Sequence, residues 1–383
     1  MPINIALTAF DVCMLFAVIG LLACWLAVLP RDEGSALESS VLRLLGATLV
    51  LVTLSSLGIL VSRTLELNGG SLSQLLADLP LALKVTHYGH VWVWRIPALL
   101  LLWLAWGWCL RHRHHTWAAW LMVIGAAGIA LTRSETGHPA DHGDFTFAVW
   151  VDWVHLMSAA VWVGSLFGMS LAIFPKLMHA GETDGGRSAV IFQRLSTLSG
   201  GALAVILATG IYTAIGELGS FHALWTSSYG ITLDVKLFII ILMIAFGAHN
   251  RYIKLPRLLR AAGKPAPRSL FGRLLGGFVD AGNAAAGKAN IVRSCARAVL
   301  TESLLGVAVI GAASVLLHGM PPAEMPKNLS MPGMSMPMSG YRTPVPVAPR
   351  IARLEFNHGN ASNQAPAEFA WIAGISRDAW EKR

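Results

Sequence analysis

Asp152 and His155 interrupt an otherwise apolar run, residues 146–174, TFAVWVDWVHLMSAAVWVGSLFGMSLAIF. Read as a helix, this run places His155 nine residues, roughly 14 Å, below its start. That is near the middle of a hydrocarbon layer about 30 Å thick. An ionisable group at such a depth faces protein or water, finds a partner, and marks a functional site by default. The i, i+3 spacing puts both side chains on one helix face. A carboxylate that orients an imidazole is a common support for a metal-ligating histidine. The same pair also suits a helix–helix hydrogen bond without any metal. Met157 adds a thioether two residues on, but at that spacing it does not share the face of His155.

A second donor set lies in the tail, MPPAEMPKNLSMPGMSMPMSG, with Met320, Met325, Met331, Met334, Met336 and Met338. Its prolines break every possible helix, so these methionines have no core to fill. Thioether sulfur is a soft ligand that selects Cu(I). His318 precedes the run by two residues and adds an imidazole. Further imidazole and carboxylate groups gather in loops: His87 and His90, then His138, Asp141, His142 and Asp144, then His222. His87 and His90 share a face if a helical turn begins at His87, whereas Pro139 and Gly143 make a loop of the His138–His142 region. This mixture suits Cu(II) or Zn(II), although each histidine alone also reads as an interfacial polar residue. The RHRHH run at 111–115 reads as a charged flank rather than a ligand set.

The elements that must hold these groups are membrane helices. The chain has 383 residues, 55% hydrophobic and only 13% charged, about half the charge of a soluble domain. Its 14 tryptophans suit a protein with two membrane–water interfaces. Eight spans are expected, at 5–29, 41–61, 90–110, 117–131, 146–174, 198–215, 231–248 and 299–317, each about the length a bilayer demands. An amphipathic piece at 73–84 precedes the third. The N-terminus lacks a basic leader and runs straight into a full-length span. Basic residues concentrate after spans 3, 5 and 7, with ten Lys or Arg between Arg251 and Arg297 and none in 216–230. The positive-inside rule then puts both termini outside. The net charge of +8 follows from this topology and calls for no nucleic acid. The expected fold class is therefore an all-α polytopic bundle, N-out and C-out. Residues 1–319 form the transmembrane domain and residues 320–383 a Met-rich periplasmic tail, expected to be disordered.

The four cysteines give no disulfide framework: Cys13 and Cys24 stand about 16 Å apart along one helix, too far to bridge, and Cys109 and Cys295 lie by basic segments. Asp11, Arg95, Asp234, Lys236 and Glu302 also fall within spans and are expected to pair. No G-x-x-x-x-G-K-[ST] loop occurs, which removes a nucleotide-driven mechanism of that type.

In order and spacing, Asp152, His155, Trp162, Gly164, Phe192, Arg194, Leu195, Gly210, Tyr212, Trp225, Tyr229, Gly230, Lys236, Asn250 and Arg251 resemble the copper resistance protein D (CopD) family of bacterial inner-membrane proteins. The resemblance covers a core of about 146–251. It implies copper handling beside a periplasmic copper-binding partner of the CopC type, and it says little about the tail.

The resulting expectation is a multi-pass inner-membrane protein, not an enzyme, that takes copper from the periplasm and moves it inward among membrane lipids. The candidate metal residues are His155, Asp152, His87, His90, His138, His142, Met157, His318 and the six tail methionines. Two rival readings stand beside it. A b-type haem protein needs axial ligands at matched depth. A copper sensor or chaperone dock moves no ion.

Overall fold

The structure is a computed structural model that describes residues 2–30, 36–112, 116–140, 143–179, 185–265, 288–319 and 321–324. Expected site residues Asp141, His142, Met320, Met325, Met331, Met334, Met336 and Met338 lie outside the described residues, as do residues 113–115.

Among the described residues eight helices are long and apolar enough to cross a membrane: Ile3–Val28, Ala36–Leu67, His87–Arg111, Thr116–Ser134, Phe147–Met178, Gly186–Leu218, Ser228–Ala261 and Asn290–Leu317, here spans 1 to 8. No strand occurs among these residues. A short helix, Leu75–Val85, precedes span 3. Hydroxyl caps set three starts. Thr86 Oγ1 accepts from Gly89 N at 2.9 Å, Thr146 Oγ1 from Val149 N at 3.4 Å, and Ser227 Oγ from Gly230 N at 2.9 Å. Each satisfies a backbone donor that the first helical turn leaves open.

Spans 6, 7 and 8 run well past their expected ends on the side of the basic loops. Hydropathy marks only the lipid-buried part of a helix, and the polar turns at 186–197 and 249–261 remain helical beyond it. Three π-helical stretches, Cys24–Val28, Met169–Ile173 and Asn250–Lys254, fall near the C-terminal ends of spans 1, 5 and 7. Alternate spans run in the same direction, so all three stretches lie toward one end of the bundle.

Span 1 sits at the centre, against spans 2, 5 and 8. Its closest neighbour is span 5. A Cβ on Gly20 would fall 1.8 Å from the Gly164 backbone, and one on Gly164 would fall 1.9 Å from Phe16 O. The two backbones touch, as small residues allow in membrane helix pairs. Trp162, Val163, Leu166, Leu15 and Leu22 fill the core around this seam. Spans 1 and 5 are 56% buried over their apolar windows, spans 6 and 7 only 11%. Ile211, Ile215, Phe238 and Ile241 point outward from spans 6 and 7, as lipid-facing residues do.

One polar network bolts the first four spans together. Arg95 and Asp11 are each 2% exposed, with Nη1 and Oδ2 3.5 Å apart. Ser55 Oγ donates to Asp11 Oδ1 at 2.6 Å, and Arg95 Nε donates to Thr132 Oγ1 at 2.8 Å. The expected pairing of Asp11 with a buried cation is met here.

Candidate functional site

His155 lies about 12 Å below the start of span 5 and Lys236 about 12 Å below the start of span 7. Thr209 is about 14 Å from the end of span 6, which opens on the same end of the bundle. The three thus sit at one depth. His155 Nδ1 is 2.8 Å from Thr209 Oγ1, and that hydroxyl donates to Val205 O at 2.7 Å. With its proton committed to the carbonyl, the hydroxyl accepts from an Nδ1–H, and in that tautomer Nε2 carries the ring's lone pair. Gly210 makes the approach possible, since a Cβ there would stand 3.2 Å from His155 Cε1.

The support expected from Asp152 comes from Thr209 instead. No hydrogen bond joins Asp152 to His155 among the described residues. Asp152 turns toward Ser134 at the end of span 4 and interacts electrostatically with Lys236 and Arg133. Ser134 Oγ faces this carboxyl but makes no closed hydrogen bond. Spacing along one helix fixes which residues share a face, not which neighbour that face meets.

Lys236 is shared. It interacts with Glu217 as well as Asp152, without a closed salt bridge to either, and its charge also reaches His155. Glu217 accepts from Tyr229 Oη across the adjoining ends of spans 6 and 7, and it interacts with His138 in the loop between spans 4 and 5. A polar column therefore descends from one end of the bundle, through His138, Glu217 and Tyr229, past Lys236 and Asp152, to His155. Sequence reading missed Glu217, Tyr229 as its donor, and Thr209. The usable signal for Glu217 was an acid within a turn of the end of span 6, opposite the lysine of span 7.

The remaining candidates are distributed around this end. His87 is the first residue of its helix, so His87 and His90 do share a helical face, and both are exposed. His87 Nε2 lies 3.0 Å from Glu135 O and Nδ1 lies 3.6 Å from Asp144 Oδ1. His138 begins a 3₁₀ turn, His138–Ala140. His318 Nδ1 meets Ser314 O at 2.8 Å, beside Asn4, Ser62 and Arg63 of spans 1 and 2. Met157 packs against the apolar core. The described residues hold no group of three His, Cys, Asp or Glu placed to bind one metal ion.

Two family models match this chain: copper resistance protein D over residues 189–316 and the copper resistance protein D-like N-terminal domain over residues 1–146. The chain belongs to the copper resistance protein D family. Copper resistance protein D of Pseudomonas syringae pv. tomato is 31% identical over 188 residues, 46% of this chain and 57% of that protein. Copper transport protein CutJ of Bacillus subtilis is 27% identical over 165 residues, 43% of this chain and 30% of that protein. Inner membrane protein YebZ of Escherichia coli is 27% identical over 199 residues, 49% and 61%. The chain thus spans less than two thirds of each of these relatives. No solved structure matches it.

As a member of the copper resistance protein D family, the chain is a multi-pass inner-membrane protein. The 189–316 match contains spans 6 to 8 almost whole, with Thr209, Glu217, Tyr229 and Lys236. Span 5, with Asp152, His155, Trp162 and Gly164, lies between the two matched segments.

Proposed function

We propose that this chain binds copper at the end of the bundle that carries both termini and passes the ion inward through spans 5 to 7. The observation that carries the reading is His155, a mid-membrane imidazole at the foot of a polar column in a copper resistance family bundle. Its Nε2 lone pair suits either oxidation state of copper, and imidazole is a borderline donor that binds without holding irreversibly. Asp152 and Glu217 offset the charge of Lys236 beside it, so that a cation entering a low-dielectric region meets a balanced field.

The basic loops after spans 3, 5 and 7 support an orientation with this end in the periplasm. Capture there falls to the tail methionines 320–338, to His318, and to the His87, His90, His138 and His142 loops. Soft thioethers take Cu(I), while imidazole with carboxylate also takes Cu(II). A periplasmic copper-binding protein of the CopC type is the proposed donor. The role is carriage rather than catalysis.

The test is isotopic copper uptake into liposomes containing the purified chain, wild type against His155→Ala at equal amounts of folded protein. Uptake that depends on His155 supports the path. Normal uptake by His155→Ala places the essential site elsewhere. Reporter fusions at Gly263 and Gly340 should read cytoplasm and periplasm, and a cytoplasmic signal at Gly340 would reverse the capture side.

A further inference from the structure

A second chamber lies at the other end of spans 5 to 8, away from the polar column. Its volume is about 410 Å³, and Trp162, Ser199, Gly200, Asn250, Arg251 and Glu302 are among its walls. Along span 7 it is about 21 Å from Lys236, fourteen residues on. It shares no residue with the proposed copper path.

Its polar groups are unusual for their surroundings. Asn250 is 5% exposed and Glu302 4%. Asn250 Nδ2 donates to Glu302 Oε1, which leaves the amide carbonyl as the side chain's acceptor. That carbonyl, Asn250 Oδ1, is buried without a hydrogen-bond partner, and so is Ser199 Oγ. A buried polar oxygen left open in this way needs an explanation. Asn250 also opens the π-helical stretch Asn250–Lys254, a distortion that recurs at functional sites.

The nearby cations make their hydrogen bonds elsewhere. Arg251 Nη1 donates to Ser196 O at 2.7 Å and to Ser196 Oγ at 3.2 Å. Gly200 permits this, because a Cβ there would stand 3.1 Å from that nitrogen. Lys254 Nζ donates to Ser294 O at 2.8 Å. Among the described residues no salt bridge reaches Glu302. A buried carboxyl in a membrane span thus faces a chamber with two further oxygens, and Lys254 acts on it without closing an ion pair.

We propose that this chamber binds a small monovalent hard cation of the Na⁺ class, held by Glu302, the Asn250 side-chain carbonyl and the Ser199 hydroxyl. All three donors are oxygen, which suits hard cations and not Cu(I). One carboxylate neutralises one positive charge. A divalent ion would leave excess charge in a low-dielectric setting beside Arg251 and Lys254. The proposal stands apart from the copper path, so either can fail without the other.

The test is ²²Na⁺ binding to the full-length protein in lipid nanodiscs, with choline replacing Na⁺ at constant ionic strength. Wild type should bind saturably, about one ion per chain. Glu302→Gln keeps the shape and the amide contact but removes the charge, and should weaken binding at least about tenfold, some 1.4 kcal/mol. Ser199→Ala should weaken it by a smaller factor, and Asp234→Asn, exposed on span 7, should leave it unchanged. If Glu302→Gln does not give monodisperse protein, Ser199→Ala decides. Absence of saturable binding by folded wild type, or binding by the folded Glu302→Gln or Ser199→Ala variant equal to wild type, overturns the site. Proton uptake that depends on Glu302 without Na⁺ binding would make it a proton carrier and overturn the cation assignment.

Discussion

The bundle contains two sets of intramembrane charges, and they are built in opposite ways. Arg95 and Asp11 sit where spans 1 to 4 converge, each 2% exposed, and hydroxyls of Ser55, Ser56 and Thr132 take up further donors and acceptors. Lys236, Asp152 and Glu217 sit among spans 4 to 7, half-buried, close enough to interact but without a closed ion pair. A closed network resists change, because every group has a fixed partner and losing one strands another in a low dielectric. An open network has charges that an incoming cation can rebalance. The first set reads as a bolt and the second as a path.

The sharpest way to break this contrast is to remove one half of the bolt. Arg95→Ala leaves Asp11 buried beside two serines and should lower stability by about 3–5 kcal/mol. It should appear as loss of monodisperse protein or a large fall in unfolding temperature in detergent. Replacing both charges at once, Asp11→Leu with Arg95→Met, should recover most of that loss, since no lone charge remains. If Arg95→Ala unfolds like wild type, the two networks do not differ in kind.

His155→Ala should do the reverse. Its hydrogen-bond partner Thr209 keeps a bond to Val205 O, so the fold should survive. Copper uptake should disappear at every external copper concentration, because bulk copper cannot replace a missing deep ligand. The same preparation tests the haem reading: purified wild-type protein should show no Soret band. A stoichiometric Soret band lost in His155→Ala would convert the path into a cofactor site.

A smaller effect separates the charges within the open set. Lys236 opposes a cation at His155 while Asp152 offsets Lys236. Asp152→Asn should therefore weaken copper binding and uptake on the order of tenfold, and Lys236→Gln should strengthen binding by a similar factor. Both changes in the same direction would mean that the residues act by packing and not by field.

How much of this was legible in the sequence follows from what each signal measures. The eight spans were, because hydropathy over a bilayer length is a strong constraint. So was the pairing of Asp11, because a charge in hydrocarbon must find a partner. The depth of His155 was legible by counting residues. Its partner was not: Asp152 shares its helix face, but Thr209 comes from another span and its hydroxyl is bonded to its own helix, where a threonine looks structural. Glu217 was hidden by its place at a helix end, where acids are ordinary, and only the fold brings it to Tyr229 and Lys236.

The mildest expected effect concerns residues 320–340. Six thioethers close in sequence can gather Cu(I) with exchangeable ligand sets. A tethered collector raises the local concentration of ion near the entrance without forming the route. Such a device matters when copper is scarce and becomes irrelevant when it is abundant. Deleting 320–340 should therefore lower uptake several-fold at limiting copper and leave the saturated rate unchanged. The measurement is uptake against external copper in cells making equal amounts of folded protein. A half-saturation point that moves while the plateau holds fits a collector outside the path. If the plateau falls to zero while His155→Ala still transports, the tail methionines are the essential site and the open column among spans 4 to 7 is structural after all.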